Sequence, residues 1–230
     1  MTYDKPIMIA HRGDWWPNRA LCNTPGAVAR ALAQGWGVEI DIWHDGDMLR
    51  VGHGVDDHSL PLQNFHTAWE VGAGPILWNV KGVGIDRGQS PTLLAQAHRS
   101  WMFDFELIDP ELPSRCHAWQ YLFRASEREP LAHAIHGAQE LSLRGGTHGV
   151  WLDTFEVMPH VTAEMITEVR QAGLLPIVVS PELHQHPIDL RQWQQDWRDA
   201  YAICTDHPEI SDTLTSAYAH PHQPWWDVHG

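Results

Sequence analysis

Gly37-Val38-Glu39-Ile40-Asp41-Ile42-Trp43 is an apolar, β-branched run carrying two carboxylates at alternate positions. Such a run reads as a strand, and side chains two apart on a strand point to the same side. Glu39 and Asp41 therefore share one face. Two like charges on one face of a buried strand are unfavourable unless a cation sits between them, and a divalent metal is the simplest such cation. Upstream, an apolar segment from Pro6 ends in His11-Arg12-Gly13. Downstream, Asp45-Gly46-Asp47 makes a tight turn, and Met48 to His53 returns as the second arm of a hairpin. His11 and His53 thus stand at strand ends beside the carboxylates, as candidates for proton transfer.

The same alternation continues along the chain. Thr24 caps, and Pro25 opens, a helix that runs through Ala33 and is broken by Gly35 and Gly37. Further strands are expected at 75–81, 101–106, 118–124, 149–153, 175–180 and 201–206, with helices at 91–99, 127–139, 162–172, 188–200 and 208–218. Eight strand–helix units in 230 residues predict an α/β fold, a single (β/α)8 TIM barrel over residues 1–230. A doubly wound open sheet is the second choice, and it usually has fewer strands. His11, Asp41, Lys81, Glu106, Arg124, Asp153, Ser180 and Asp206 fall at the C-terminal ends of these strands, which in a barrel converge on the catalytic face.

Composition narrows the partners. A formal charge of −14 opposes nucleic acid, which needs a basic footprint, and an anionic membrane surface. No apolar run approaches the roughly 20 residues of a membrane helix, so membrane insertion is not expected. An anionic substrate would be received by a local cationic device: a metal, Arg12 or Lys81. Cys22, Cys116 and Cys204 are scattered without metal-knuckle spacing, and no secretory leader is visible, so a cytoplasmic setting is the expectation. Seventeen histidines are numerous, and those of the loops and tail read as solvated. Trp15 and Trp16 suit the mouth lining, Trp151 the core, and Trp225 and Trp226 an oligomer contact.

His11-Arg12-Gly13, Asn23-Thr24, Glu39-x-Asp41, Asp45-Gly46 and His53 occur in an order and spacing that resemble the glycerophosphodiester phosphodiesterase family, within the phospholipase C-like phosphodiesterase superfamily. Thr205-Asp206-x-Pro208 is similar to that family's last-strand signature, so the likeness spans both ends of the chain. The resemblance implies hydrolysis of a small-molecule phosphodiester, with His11 and His53 as the acid–base pair. It implies a divalent metal, Mg2+ or Ca2+, on Glu39 and Asp41, and hard oxygen ligands suit such an ion. The third metal position falls on Asn79, where the family carries a carboxylate. An Asn carbonyl can ligate but brings no charge, and Asp104 or Glu106, two apart on the expected fourth strand, could compensate.

Cys22 and Gly54 also depart from the family pattern, and the 53–81 stretch is shorter than the usual insertion. Arg12 either holds a phosphate oxygen or pairs with a carboxylate below the mouth. Lys81 either contacts phosphate or partners Glu39 or Glu106. Arg124, Ser126 and His184 are candidates for a second polar rim that recognises a head group. Two other functions remain open at this point: a lyase that forms a cyclic phosphate, and a catalytically weakened binding protein on the same scaffold.

Overall fold

The computed structural model describes residues 5–54, 59–86, 96–117, 119–156, 160–187 and 196–210. Eight parallel strands close into a barrel: β1 (Ile7–His11), β2 (Gly37–His44), β5 (Ile76–Val80), β6 (Ser100–Phe103), β7 (Gln120–Ala125), β8 (Gly149–Leu152), β9 (Leu175–Val179) and β10 (Ala202–Thr205). Pairing of β1 with both β2 and β10 completes the closure. The expected hairpin is present as β3 (Leu49–Val51), antiparallel to the end of β2, followed by the short β4 (Leu60–Pro61). No helix among the described residues is long and apolar enough to cross a membrane.

Alternation along the strands sorts the side chains into two layers. Val38, Ile40, Ile42, Ile76, Trp78 and Val80 face outward and pack with Val28, Ala31 and Leu32 of α1 (Pro25–Ala33). Ile9, Leu77, Trp101, Phe103, Leu122, Trp151, Ile177 and Cys204 fill the interior, with Phe103 stacked on Trp151 at 4.1 Å between centroids. The apolar plug occupies the lower and middle barrel. Glu39 and Asp41 have the parity of the interior layer, so their charges lie above that plug.

Two helices start at the side-chain caps the sequence offers. The Thr24 hydroxyl accepts from Ala27 N–H, and Thr162 caps Ala163–Gln171 by accepting from Met165 N–H. The expected helix at 127–139 instead runs Leu131–Ser142 (α4). Ser126 binds the N–H groups of Arg128 and Glu129 in a turn, and Pro130 keeps its preceding residue out of helical backbone. The fourth strand stops at Phe103 rather than running to 106, because Asp104 takes a left-handed conformation (φ 62°) and starts the one-turn helix α2 (Phe105–Ile108). A second single turn, α3 (Leu112–Arg115), follows it, and α5 is Ala163–Gln171. Between β4 and β5, 3-10 turns at Leu62–Phe65 and Ala68–Glu70 replace a barrel helix, burying Phe65 and Trp69 against Trp78. The expected helices at 91–99, 188–200 and 208–218 lie mostly outside the described residues, as do Ala118, Trp225 and Trp226; within the first, Ala97–Arg99 is a 3-10 turn.

Candidate functional site at the C-terminal mouth

Strand register explains how the first site residues meet. Ala10 pairs with Thr205 and His11 with Glu39, so Asp206 and Glu39 flank His11 on either side. His11 Nδ1–H donates to Asp206 Oδ1 at 2.7 Å, leaving Nε2 facing Glu39 Oε2 at 3.8 Å. Asp206 is itself fixed, its N–H donating to Glu182 Oε1 at 3.2 Å, and the same carboxyl receives the Thr205 hydroxyl. A carboxylate that binds Nδ1–H selects the tautomer with Nε2 open as a base.

Asp41 sits two residues beyond Glu39 on β2, the strand beside His11, fully buried. Arg12 Nε approaches its Oδ2 at 3.1 Å and Lys81 Nζ its Oδ1 at 3.4 Å. Asn23 completes the clamp: Nδ2 donates to Asp41 Oδ2 at 2.9 Å, while its Oδ1 accepts from Asp41 N–H at 3.2 Å. Burial pushes the Asp41 carboxyl up, but Arg12, Lys81 and the Asn23 hydrogen bond outweigh it and hold it below the usual carboxylate range. Glu39 goes the other way. Burial and the neighbouring Asp41 charge raise it, against the pull of His11 and Arg12. The cation demanded by the paired carboxylates is thus supplied in part by protein side chains.

Arg12 reaches Asp41 because the chain turns sharply after β1, with left-handed backbone at Arg12 (φ 60°) and Gly13 (φ 83°). A Cβ on Gly13 would stand 2.8 Å from the Ala27 carbonyl carbon, so only glycine lets this turn lie against α1. Trp15, expected at the mouth lining, is buried and donates from Nε1 to His11 O at 2.9 Å; Trp16 is exposed. Burial pushes the Cys22 thiol beside Arg12 up to about 11, so it remains protonated.

The charges continue around the mouth. Lys81 also approaches Asp104 Oδ2 at 3.9 Å, and Asp104 pairs with Arg124. Arg124 Nε lies 3.9 Å from Asp153 Oδ2, and His184 Nε2–H donates to Asp153 Oδ1 at 2.7 Å. Cation and carboxylate therefore alternate from Arg12 through Asp41, Lys81, Asp104 and Arg124 to Asp153, which binds His184. Asn79 lies beside Asp41 in the register of β5 with β2.

His11, Arg12, Glu39, Asp41, Asn79, Lys81 and Arg124 are brought together at the mouth. His53 follows β3, where Gly52 N–H donates to Asp41 O at 3.0 Å, and its side chain is exposed at the rim. Glu106 requires a correction. The left-handed Asp104 breaks the strand alternation, so the two carboxylates do not share a side. Glu106 instead accepts from Arg124 N–H at 3.1 Å and lines a cavity of about 290 Å³ with Phe123 of β7 and Gly137, Leu141 and Arg144 on the α4 side. Asn23, Asp206 and Glu182 carry roles the sequence reading did not assign them. Asp206 was within reach from its strand-end position, whereas Glu182 lies in a loop with no local signal.

Burial pushes Glu106 from the usual value near 4.5 up to about 7. Between those values the unfolded carboxyl is ionised while the folded one keeps its proton, so this group's contribution to stability falls as pH rises through that window. Glu106→Gln preserves the acceptor for Arg124 N–H. It is expected to gain about 3 kcal/mol at pH 8 and almost nothing at pH 4. Urea unfolding at the two pH values checks this, and an equal effect at both would refute it.

No protein-family model matches the chain, and no curated protein sequence matches it. Solved structures do. A "Putative glycerophosphoryl diester phosphodiesterase" of Agrobacterium tumefaciens superposes with a TM-score of 0.64 at 14% identity, covering 94% of this chain and 99% of that one. A tryptophan synthase chain from Mycobacterium tuberculosis gives 0.53 at 14% identity, covering 94% and 90%. One from Pyrococcus furiosus gives 0.52 at 13% identity, covering 93% and 92%. The same barrel carries different chemistries in these proteins. At such identities the likeness establishes the fold, and this chain is a (β/α)8 barrel.

Proposed function

We propose that this chain is a divalent-metal-dependent phosphodiesterase that hydrolyses a small phosphodiester at the C-terminal mouth of its barrel. The observation that carries the reading is His11. Asp206 orients it, and its free Nε2 opens beside an oxygen-rich wall and two cations. That combination, in the residue order the glycerophosphodiester phosphodiesterases use, suits a phosphate better than it suits a neutral ligand.

Among the described residues no three His, Cys, Asp or Glu side chains group to hold a metal. With the Asn79 amide included, Glu39 Oε1, Asp41 Oδ1 and Asn79 Oδ1 are buried acceptors without a hydrogen-bond partner, Asp41 Oδ1 facing only the Lys81 ammonium at 3.4 Å. Three hard oxygens on adjacent strands fit Mg2+ or Ca2+, and Glu39, Asp41 and Asn79 would hold it. Bound there, the ion would neutralise non-bridging phosphate oxygens and polarise phosphorus.

The side chains divide the remaining work. Arg12 and Lys81 present positive charge to a phosphate that the protein's net charge would otherwise repel. His11 Nε2 accepts the proton of the attacking water as its oxygen bonds to phosphorus. The family resemblance gives His53 the proton for the departing alkoxide.

A screen of glycerophosphodiesters, lysophospholipids and sugar phosphodiesters with Mg2+ or Ca2+ tests the proposal, with ³¹P NMR separating a monoester product from a cyclic phosphate. Turnover is expected to fall at least tenfold with EDTA and to return on adding metal. Absence of turnover across the screen would overturn the function, and indifference to EDTA would overturn the metal.

A further inference from the structure

Glu106 is an acid that the barrel mouth does not use. The fold asks one thing of it, an acceptor for Arg124 N–H, which Oε1 supplies at 3.1 Å. Its other oxygen, Oε2, is buried with no hydrogen-bond partner. A glutamine would accept from Arg124 N–H equally well, without placing an ionisable group in a poorly solvated position. The second carboxyl oxygen is therefore surplus to the fold, and a buried acceptor left without a partner points to another use.

The cavity that Glu106 lines lies outside the barrel wall. Leu122 of β7 points into the barrel interior, so the next residue, Phe123, points outward and meets α4 at Gly137. On the other side α2 and α3 are single turns of four residues each, which cover less of this outer face than a full barrel helix would. The cavity of about 290 Å³ lies between these turns and α4, walled by Phe105, Pro110, Pro113, Phe123 and Leu141. Phe105 stands edge-on to Tyr121 at 5.0 Å and to Phe123 at 5.2 Å, which fixes the wall. Leu107 and Leu143 adjoin lining residues in the chain and are 72% and 83% exposed, so apolar surface continues to the rim.

One cation lines the same space. Arg144, just beyond α4, is exposed, and among the described residues no carboxylate pairs with it. Glu106 and Arg144 thus come from the two sides of one small cavity, with apolar walls between them. That arrangement is complementary to a molecule bearing both an ammonium and a carboxylate on an apolar body.

We propose that this cavity is a second ligand site, separate from the mouth, that takes a free α-amino acid with an apolar side chain. The ligand's ammonium pairs with the Glu106 carboxylate and its carboxylate with the Arg144 guanidinium. Its side chain lies against Phe105, Phe123 and Leu141. Burial holds Glu106 at about 7, so near neutral pH an adjacent ammonium readily draws it into the ionised form. An alkyl amine would leave Arg144 unpaired, and an alkyl carboxylate would be set against Glu106. The site stands independently of the phosphodiesterase reading, because none of its lining residues belongs to the His11 centre.

Isothermal titration calorimetry of the full-length chain at pH 8 with L-leucine, L-methionine and L-phenylalanine is the test. At least one is expected to bind saturably with a Kd below about 1 mM. Three controls each lack one feature: isoamylamine the carboxylate, isocaproate the ammonium, and L-alanine the apolar body. Each should bind at least about tenfold more weakly. Glu106→Gln retains the acceptor for Arg124 N–H, so the fold is kept. It should weaken the amino acid about tenfold or more while leaving isocaproate no weaker, a split that a structural role would not produce. Arg144→Ala should weaken the amino acid and spare isoamylamine. Lack of saturable binding by all three amino acids would overturn the inference. So would binding untouched by both substitutions, or any control compound binding as tightly as the amino acid.

Discussion

His11→Ala is expected to lower kcat about 10³-fold on any phosphodiester the enzyme turns over, with the fold intact. The imidazole is 17% exposed at the top of β1, above the apolar plug, so its removal opens no core cavity. Its loss deprives the attacking water of the base that faces both Glu39 and the mouth. Asp206→Asn tests the same assembly one atom further out. An amide in place of the carboxylate no longer stabilises the protonated ring, and a flipped amide would select the wrong tautomer. About 10²-fold in kcat with little change in KM is expected there, the signature of an interaction made in the transition state. Steady-state kinetics together with thermal unfolding of both variants decide the matter. Unchanged kcat in both would remove His11 from the chemistry.

The barrel was legible because its signals are local and repeated. Thr24-Pro25 and Thr162 announce helix starts through their own side chains, and α1 and α5 begin directly after them. The parity of Val38, Ile40 and Ile42 against Glu39 and Asp41 fixed which face of β2 enters the barrel. Errors arose where one residue's backbone overrules the pattern. Nothing in Trp101-Met102-Phe103-Asp104-Phe105-Glu106 discloses that Asp104 adopts φ 62°, and that turn sends Glu106 out of the mouth. The 3-10 turns at Leu62–Phe65 and Ala68–Glu70 are too short to carry a helical period, so they read only as a connection.

The site was legible residue by residue but not in its pairings. Alternation and strand ends single out His11, Glu39, Asp41, Lys81 and Arg124. Their contacts depend on register and loop geometry that no spacing encodes. The paired carboxylates called for a cation, and part of the answer is Arg12, which reaches back over β2 only because its backbone is left-handed. Asp153 and His184 are 31 positions apart and come together because β8 and β9 are neighbours. Asn23 follows the same logic, a loop residue whose amide matches both the carboxylate and the backbone N–H of Asp41.

Asp41→Ala is expected to cost about 3–5 kcal/mol of stability, measured by urea unfolding with EDTA present so that metal does not contribute. The carboxylate is fully buried and is approached by Arg12, Lys81 and Asn23 together. Deleting it leaves two cations at the mouth without their shared counterion and an amide without its acceptor. Glu39 cannot replace it: Glu39 lies one register step lower, and it is bonded to Arg12 through the backbone N–H (3.3 Å) rather than the guanidinium. The sign of the coupling supplies the sharper check. If Asp41 stabilises the fold through these charges, adding Lys81→Met to Asp41→Ala should restore part of the loss, because the second change removes a cation that the first stranded. Lys81→Met alone should destabilise, since it exposes the buried carboxylate to a weaker field. Additive losses in the double variant would mean that Asp41 acts by shape alone. In that case the alternation of charge from Arg12 to Asp153 would be a surface pattern rather than a coupled wall.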